Sequence, residues 1–435
     1  CLDMGHWSRV CLAAAAPISY LHSSTKWDNP AYLNYEESFN EKVNRAKKAI
    51  YRYMMLNGVP GVSVGVTVNG KAIWRAGVGL SDVEQVVPCT GHSVMRIASI
   101  SKSITAVIIA RLVEEGKFDV DAPVQKYVPS FPKKKFEGKE VDITCRHLLA
   151  HTSGIRHYKT VDTLALENKP NGEKDSKKNN NADQEYYLNK EFKDSLSALE
   201  IFKDDDLEAK PGSKFVYTTF GYTLLCAALE KAADKKFETL LNELTTQLGM
   251  NNTRLDRTLD IVPNRSRYYN VDSHGKLQNV PEVNSSYKWT GGGILSNVSD
   301  LLTFGNALIY SYQAPPDAVP RPLLQHETMK KLWSREIKSG EKTRDEYGWG
   351  WVTLPTIDEV GGAGPNRSGL YFHTGGAVGA SSVLLVRPTG DSLRKNGKPT
   401  GTCVAVLANK QNSGKGIVEL ALEISEIFSD DLKKL

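Results

Sequence analysis

Ser99-Ile100-Ser101-Lys102 is the stretch that decides how this chain reads, because of the residues on its C-terminal side. The spacing alone carries little, since Ser23, Ser130, Ser285, Ser339 and Ser392 also stand three residues before a lysine. After Ser99, however, Ile104, Val107, Ile108, Arg111 and Leu112 recur at helical spacing. Ala106 and Ala110 fall between them, and Gly116 supplies a stop signal. Ser99 therefore opens a helix predicted to be largely buried, with Lys102 one turn along on the same face.

Ser99 can be read in two ways. In the first, it merely caps the helix. A capping box would set Glu or Gln three residues on, whereas this chain sets Lys102 there, a cation beside the positive helix end. In the second reading that misfit serves catalysis, since the dipole and burial both favour the neutral amine. A free lysine titrates at about 10.4, and lowering it by ~3 units takes about 4 kcal/mol of environment. A neutral Lys102 can take the hydroxyl proton of Ser99, while the first amides of the helix stabilise an oxyanion.

The 435 residues are 40% hydrophobic and 24% charged, enough for a large globular core. There is no internal repeat and no clean linker. The net charge of +5, without a basic-aromatic stripe, argues against nucleic-acid binding. Lys133-Lys134-Lys135 reads as a solvated loop. The six cysteines form no Cys-x-x-Cys pair, and Cys226 and Cys403 sit in apolar runs as small buried hydrophobes. No run reaches the roughly 20 apolar residues of a membrane span. The chain starts at Cys1, so residues 1–35 read as a tail, processed or incomplete, in which no targeting segment is identifiable.

Residues 36–435 read as one domain. Tyr35 to Leu56 has a helical pattern, and Val62 to Val68 and Ala72 to Gly79 alternate around Asn69-Gly70, a strong hairpin signal. Lys159 to Leu207 is charged and Asn-rich at its centre, which predicts a mobile insertion. Phe220 to Lys231 and Asn297 to Ile309 read as helices, and Leu370 to Thr374, Ser382 to Arg387 and Thr402 to Ala408 as strands. Ile417, Leu420, Ala421, Ile424, Ile427 and Phe428 give an apolar helix face suited to pack on that sheet. The fold class is thus α/β (α+β), a sheet flanked by helices with an α-rich subdomain, and the groove between the two is where a site belongs.

A serine nucleophile needs a second proton carrier and oxyanion donors. Tyr217-Thr218-Thr219 stands just before a helix and can present a phenol, though a packed structural tyrosine is the plainer reading of that residue alone. His373-Thr374-Gly375-Gly376 ends a strand with two glycines, which suggests close backbone approach. Gly376 can offer an oxyanion amide and Thr374 a hydroxyl for substrate, while His373 suits either a site or a structural role. His147 and His151, with His157 further on, lack the glutamate of a zinc-hydrolase helix, Leu148 standing in its place, so no metal is expected. No phosphate-cradling glycine loop occurs, and no cofactor is expected.

Together these elements resemble the serine β-lactamase and penicillin-binding-protein superfamily, particularly its class C and esterase-like branch. The matching stretches are Arg96 to Lys102, Leu148-Leu149-Ala150-His151-Thr152-Ser153-Gly154, Tyr217 to Tyr222, Gly291-Gly292-Gly293-Ile294 and His373 to Gly376. The resemblance implies a β-lactamase/transpeptidase-like antiparallel sheet. It further implies Ser99 as the acylated nucleophile, Lys102 and Tyr217 as proton carriers, and the amides of Ser99 and Gly376 as the oxyanion hole. His373, Thr374, Gly375 and Thr219 would bind substrate. Two departures weaken any β-lactam or peptidoglycan role: Thr219 replaces the family's usual Asn, and His373 replaces a lysine. Within the family the chain looks most like a mitochondrial branch, which would imply a peptidase of the intermembrane space that assembles into filaments. An esterase or amidase acting on a small acyl substrate, and a scaffold without useful turnover, are the alternatives.

Overall fold

The computed structural model describes residues 38–159, 185–339, 345–354 and 369–429. Its framework is a nine-stranded antiparallel sheet whose middle is built from the two ends of the chain. The first strands are β1 (Gly61–Val68), β2 (Lys71–Asp82) and β3 (Val87–Pro88). Asn69 and Gly70 both take positive φ, 53° and 76°, which suits the hairpin joining β1 to β2. Short strands β4 (Met95–Arg96), β5 (Lys134–Phe136), β6 (Lys139–Val141), β7 (Arg254–Leu255), β8 (Tyr269–Val271), β9 (Leu277–Asn279) and β10 (Ile294–Ser296) lie outside that sheet. The chain returns through β11 (Ile337–Lys338), β12 (Glu346–Tyr347), β13 (Val352–Leu354), β14 (Leu370–Ala377), β15 (Ala380–Pro388) and β16 (Gly401–Ala408). The order is β11-β12-β13-β14-β15-β16-β1-β2-β3, with Val64 opposite Val406 and Val406 opposite Val383.

Both faces of the central strands are buried, as their near-continuous apolar runs require. Val62, Val64, Val66, Leu385 and Val404 turn to one face, where α1 (Phe39–Asn57) and the C-terminal helix Ile417–Ser429 bury Ile50, Leu420, Ile424 and Phe428 against them. Leu384, Val386, Ala405 and Leu407 turn to the other face and join a larger core. That core holds α2 (Ile100–Glu114), α3 (Cys145–Leu149), α4 (Thr219–Ala233), α5 (Phe237–Leu248), α6 (Trp289–Gly292), α7 (Val298–Gln313) and α8 (His326–Leu332). The helix Ile417–Ser429 is α9. The expected sheet with an α-rich layer is the architecture the chain forms, and residues 1–37 lie outside the described ones.

One expectation needs correcting. The predicted mobile insertion divides: residues 160–184 lie outside the described ones, whereas residues 185–207 are packed. Phe192, Ala198, Leu199 and Phe202 are buried, and Phe202 stacks on Phe220 of α4 at 4.9 Å. Arg156 ties the segment down through Glu185 at 2.8 Å and Asp205 at 2.7 Å. The apolar residues there keep no helix or strand period, only a short 3-10 turn, Ser197–Ile201, so periodicity passes over them.

Candidate active site

Ser99 immediately precedes α2, and its side chain caps nothing. Its hydroxyl instead meets two other side chains. Lys102 Nζ lies 3.1 Å from Ser99 Oγ, and the phenol of Tyr217 donates to the same oxygen at 2.7 Å. The residue before Ser99, Ala98, sits at φ 50°, a left-handed conformation that alanine adopts at a cost of about 1–3 kcal/mol. This bend leads directly into α2, which supplies Lys102.

Lys102 is fully buried in a helix that is apolar nearly all round. Its amine also donates to Gly291 O, at the end of α6, at 2.5 Å, and passes over the ring of Tyr217 at 4.9 Å. Among the described residues no carboxylate pairs with it. Burial first, and then the charge of Lys288, hold its pKa well below that of an ordinary lysine. A neutral amine completes a consistent proton chain: Tyr217 donates to Ser99, Ser99 can donate to Nζ, and Nζ donates to Gly291 O. Burial pushes the Tyr217 phenol up, so it stands as a protonated donor.

Tyr217 is held from behind. His151, fully buried, packs its ring 4.2 Å from that of Tyr217, and its Nδ1 accepts from the Thr218 amide at 3.2 Å. Thr218 in turn caps α4 through Gly221 N. His147 is engaged elsewhere, in a capping box with Thr144 at the start of α3. The two histidines thus serve separate structural ends.

A cavity of about 290 Å³ opens onto Ser99. Its wall includes Tyr217, Thr219, Thr374, Gly376, His157 and Lys288. In β14 His373 stands opposite Leu384 and Gly375 opposite Ser382, on the face packed against the turn before Ser99, and Thr374 stands opposite Val383. Thr374 and Gly376 line the cavity, and nothing lies within 4 Å of where a Gly376 Cβ would stand. His373 and Gly375, expected as substrate contacts, are not part of the wall. Gly375 instead admits the nucleophile turn, since a Cβ there would fall 2.5 Å from Ile97 O and 2.9 Å from Ala98 Cβ. His373 is buried with Nδ1 on Thr374 O at 2.6 Å, so that nitrogen carries the proton and Nε2 accepts from Tyr347 at 2.8 Å. Burial lowers its pKa to about 3, leaving it neutral. Its work is to brace β14.

This architecture is shared with known proteins. The pattern of the Beta-lactamase family matches residues 46–426. The chain belongs to that family. Among relatives of this β-lactamase-family chain is the human "Serine beta-lactamase-like protein LACTB, mitochondrial", 37% identical, the match covering 90% of this chain and 81% of the relative. Among solved structures, the octameric penicillin-binding protein homologue from Pyrococcus abyssi superposes with a TM-score of 0.66 at 24% identity, over 90% of this chain and 77% of that one. A class C beta-lactamase mutant superposes with a TM-score of 0.64 at 20% identity, over 88% and 96% of the two chains. At those identities the structures speak to the fold alone.

Two wall residues of this β-lactamase-family site carry no clear signal in the sequence. His157 reads there only as a third histidine beyond His147 and His151; in the fold its Nδ1 accepts from the Thr219 amide at 3.3 Å, so Nε2 bears the proton. Lys288, just before α6, reads as one of several chance Ser-x-x-Lys lysines. Its place at the junction of a 3-10 turn and a short helix has no period to mark it.

Proposed function

We propose that this serine hydrolase works through a covalent acyl-enzyme on Ser99, as a mitochondrial peptidase of the intermembrane space that assembles into filaments. The observation that carries the chemistry is the placement of Lys102 Nζ at 3.1 Å and Tyr217 OH at 2.7 Å from one serine oxygen at the floor of a cavity. Lys102, held neutral, removes the Ser99 proton as the oxygen attacks a carbonyl carbon. The amides of Ser99 and Gly376 receive the oxyanion, and Tyr217 passes a proton to the leaving group. Water then hydrolyses the ester by the reverse relay. Thr219 and Thr374 contact the substrate from opposite walls. No step calls on a metal or cofactor.

The mitochondrial assignment is supported by the name of the human relative, at 37% identity over most of both chains. Self-association rests on the resemblance drawn from the sequence. A second reading, a small-substrate amidase or esterase, is favoured by the modest cavity of about 290 Å³.

A fluorophosphonate should label the protein, with the adduct on Ser99 by mass spectrometry, and Ser99→Ala should abolish labelling while shifting stability by no more than about 1 kcal/mol. Labelling elsewhere, or turnover by the alanine variant, refutes the assignment. Peptide and ester libraries separate the two substrate classes. A mass near 48.0 kDa at every concentration tested would refute the filament.

A further inference from the structure

We propose that Lys288 is the specificity-determining residue of this site and recognises a carboxylate carried by the substrate. The inference rests on Ser99 being the nucleophile of the cavity that Lys288 shares.

Of the described residues that wall the cavity, Lys288 is the only lysine or arginine, and none is an aspartate or glutamate. It is only 5% exposed, yet among the described residues its ammonium has neither an ion-pair partner nor a hydrogen-bond acceptor. The acid whose charge bears on it is already committed: Asp256 receives Arg96 at 2.7 Å and Arg265 at 2.6 Å. The groups that face the ammonium are aromatic, Tyr287 at 5.1 Å and Tyr186 at 6.0 Å from ring centre. Rings of this kind tolerate a cation without neutralising it.

A buried cation with no counter-charge is costly to keep, and an apolar residue of the same length would stabilise the fold. The arrangement is accounted for if the counter-charge arrives with the ligand. The expected lysine of the β14 motif is replaced by His373, which is neutral and is not among the residues that line the cavity. Lys288 lies beside Gly292 of α6. His157 Nε2–H and the hydroxyls of Tyr186, Thr219 and Thr374 are among the further donors on the wall. A single ammonium in so small a space suits one carboxylate better than a dianionic phosphate, which calls for several cations.

The test separates recognition from turnover. On Ser99→Ala protein, calorimetry compares glutaric acid monoanilide with its uncharged isostere, glutaramide anilide. The acid is expected to bind roughly tenfold to hundredfold tighter, as a charged hydrogen bond predicts. Adding Lys288→Met should bring the acid down to the level of the amide, and Lys288→Glu should invert the preference. Equal binding of the pair, no binding of either, or a preference that survives Lys288→Met overturns the proposal. Should the Met variant not fold, the pH dependence with Lys288 intact decides. Burial, then the charge of Arg96, lowers the pKa of Lys288 while Asp256 raises it, and together they bring it to about 8. The preference for the acid should therefore fade as pH rises through that value, and a preference unchanged there also overturns the proposal. None of these measurements uses the nucleophile, so failed fluorophosphonate labelling of native protein would count against Ser99 and not against Lys288.

Discussion

Gly375 and Gly376 are neighbours in β14, and alanine is expected to act oppositely at the two. At Gly375 the new methyl would fall 2.2 Å from Ser382 Oγ, 2.5 Å from Ile97 O and 2.9 Å from Ala98 Cβ. Ser382 cannot simply rotate away, because its hydroxyl donates to Ile97 O at 2.8 Å. Carbon and oxygen in non-bonded contact sit at about 3.3 Å, so the strand and the nucleophile turn must part by about 0.8 Å. Overpacking of this kind costs about 1–3 kcal/mol. A nucleophile displaced by ~1 Å loses about a hundredfold in rate, so the labelling rate of Ser99 should fall between about tenfold and a hundredfold. At Gly376, which lines the cavity, the methyl meets nothing within 4 Å. Stability there should hold within about 0.5 kcal/mol, with the loss confined to bulky substrates. The assay pairs denaturant unfolding with the second-order rate of labelling by a small neutral fluorophosphonate. A Gly375→Ala protein of native stability and native labelling rate would refute the claim that this contact sets the position of Ser99.

The same geometry carries other expectations. Lys102→Met should keep the fold and lose at least about a hundredfold in acylation; Lys102→Arg should destabilise, since a permanent cation would be buried unpaired. In the native protein, acylation should rise with pH as Lys102 loses its proton, along a limb well below the usual lysine value of about 10.4. Native acylation by the Met variant would move the base elsewhere. Phe202→Ala should cost about 3–5 kcal/mol in chemical denaturation, because Phe202 is buried against Phe220. Deleting residues 171–183 should leave the melting point nearly unchanged, and a collapse there would show that they pack into the core. Between about 8 and the ordinary lysine value of 10.5, the unfolded chain holds a proton that folded Lys288 has released. Native protein should therefore gain stability relative to Lys288→Met as pH rises through that window, by at most about 1.4 kcal/mol per unit. A flat difference across it would refute a buried, titrating Lys288.

The framework was legible where local chemistry and tertiary burial agree. Asn69-Gly70 marked the first hairpin because both residues accept positive φ. Leu370 to Thr374, Ser382 to Arg387 and Thr402 to Ala408 read as strands because they are largely buried on both faces and so remain mostly apolar. Ser99, Lys102 and Tyr217 stood out because each precedes or opens a helix whose apolar pattern continues beyond it. The hidden features depend on direction. Nothing local says that Thr374 and Gly376 line the cavity while His373 and Gly375 lie on the face of β14 packed against the turn before Ser99, because that requires knowing which face of β14 that turn approaches. Phe192, Leu199 and Phe202 were hidden for another reason, since they reach the core from a loop with no repeat.

Lys288 shows why such a residue is hard to find from sequence and informative once placed. As a lysine near the surface it would be ordinary, and its spacing from Ser285 is a coincidence shared with other serines. In the fold it stands close enough to Lys102 for its charge to help keep that amine neutral. An aspartate or glutamate on the cavity wall would quiet Lys288, but it would also stabilise the protonated form of Lys102 and remove the base. A wall whose described residues include no acid therefore satisfies two demands with one composition: it keeps Lys102 able to accept a proton, and it leaves Lys288 charged and unmatched. A substrate carboxylate can satisfy Lys288 without permanently protonating Lys102, because it is present only while the substrate is bound.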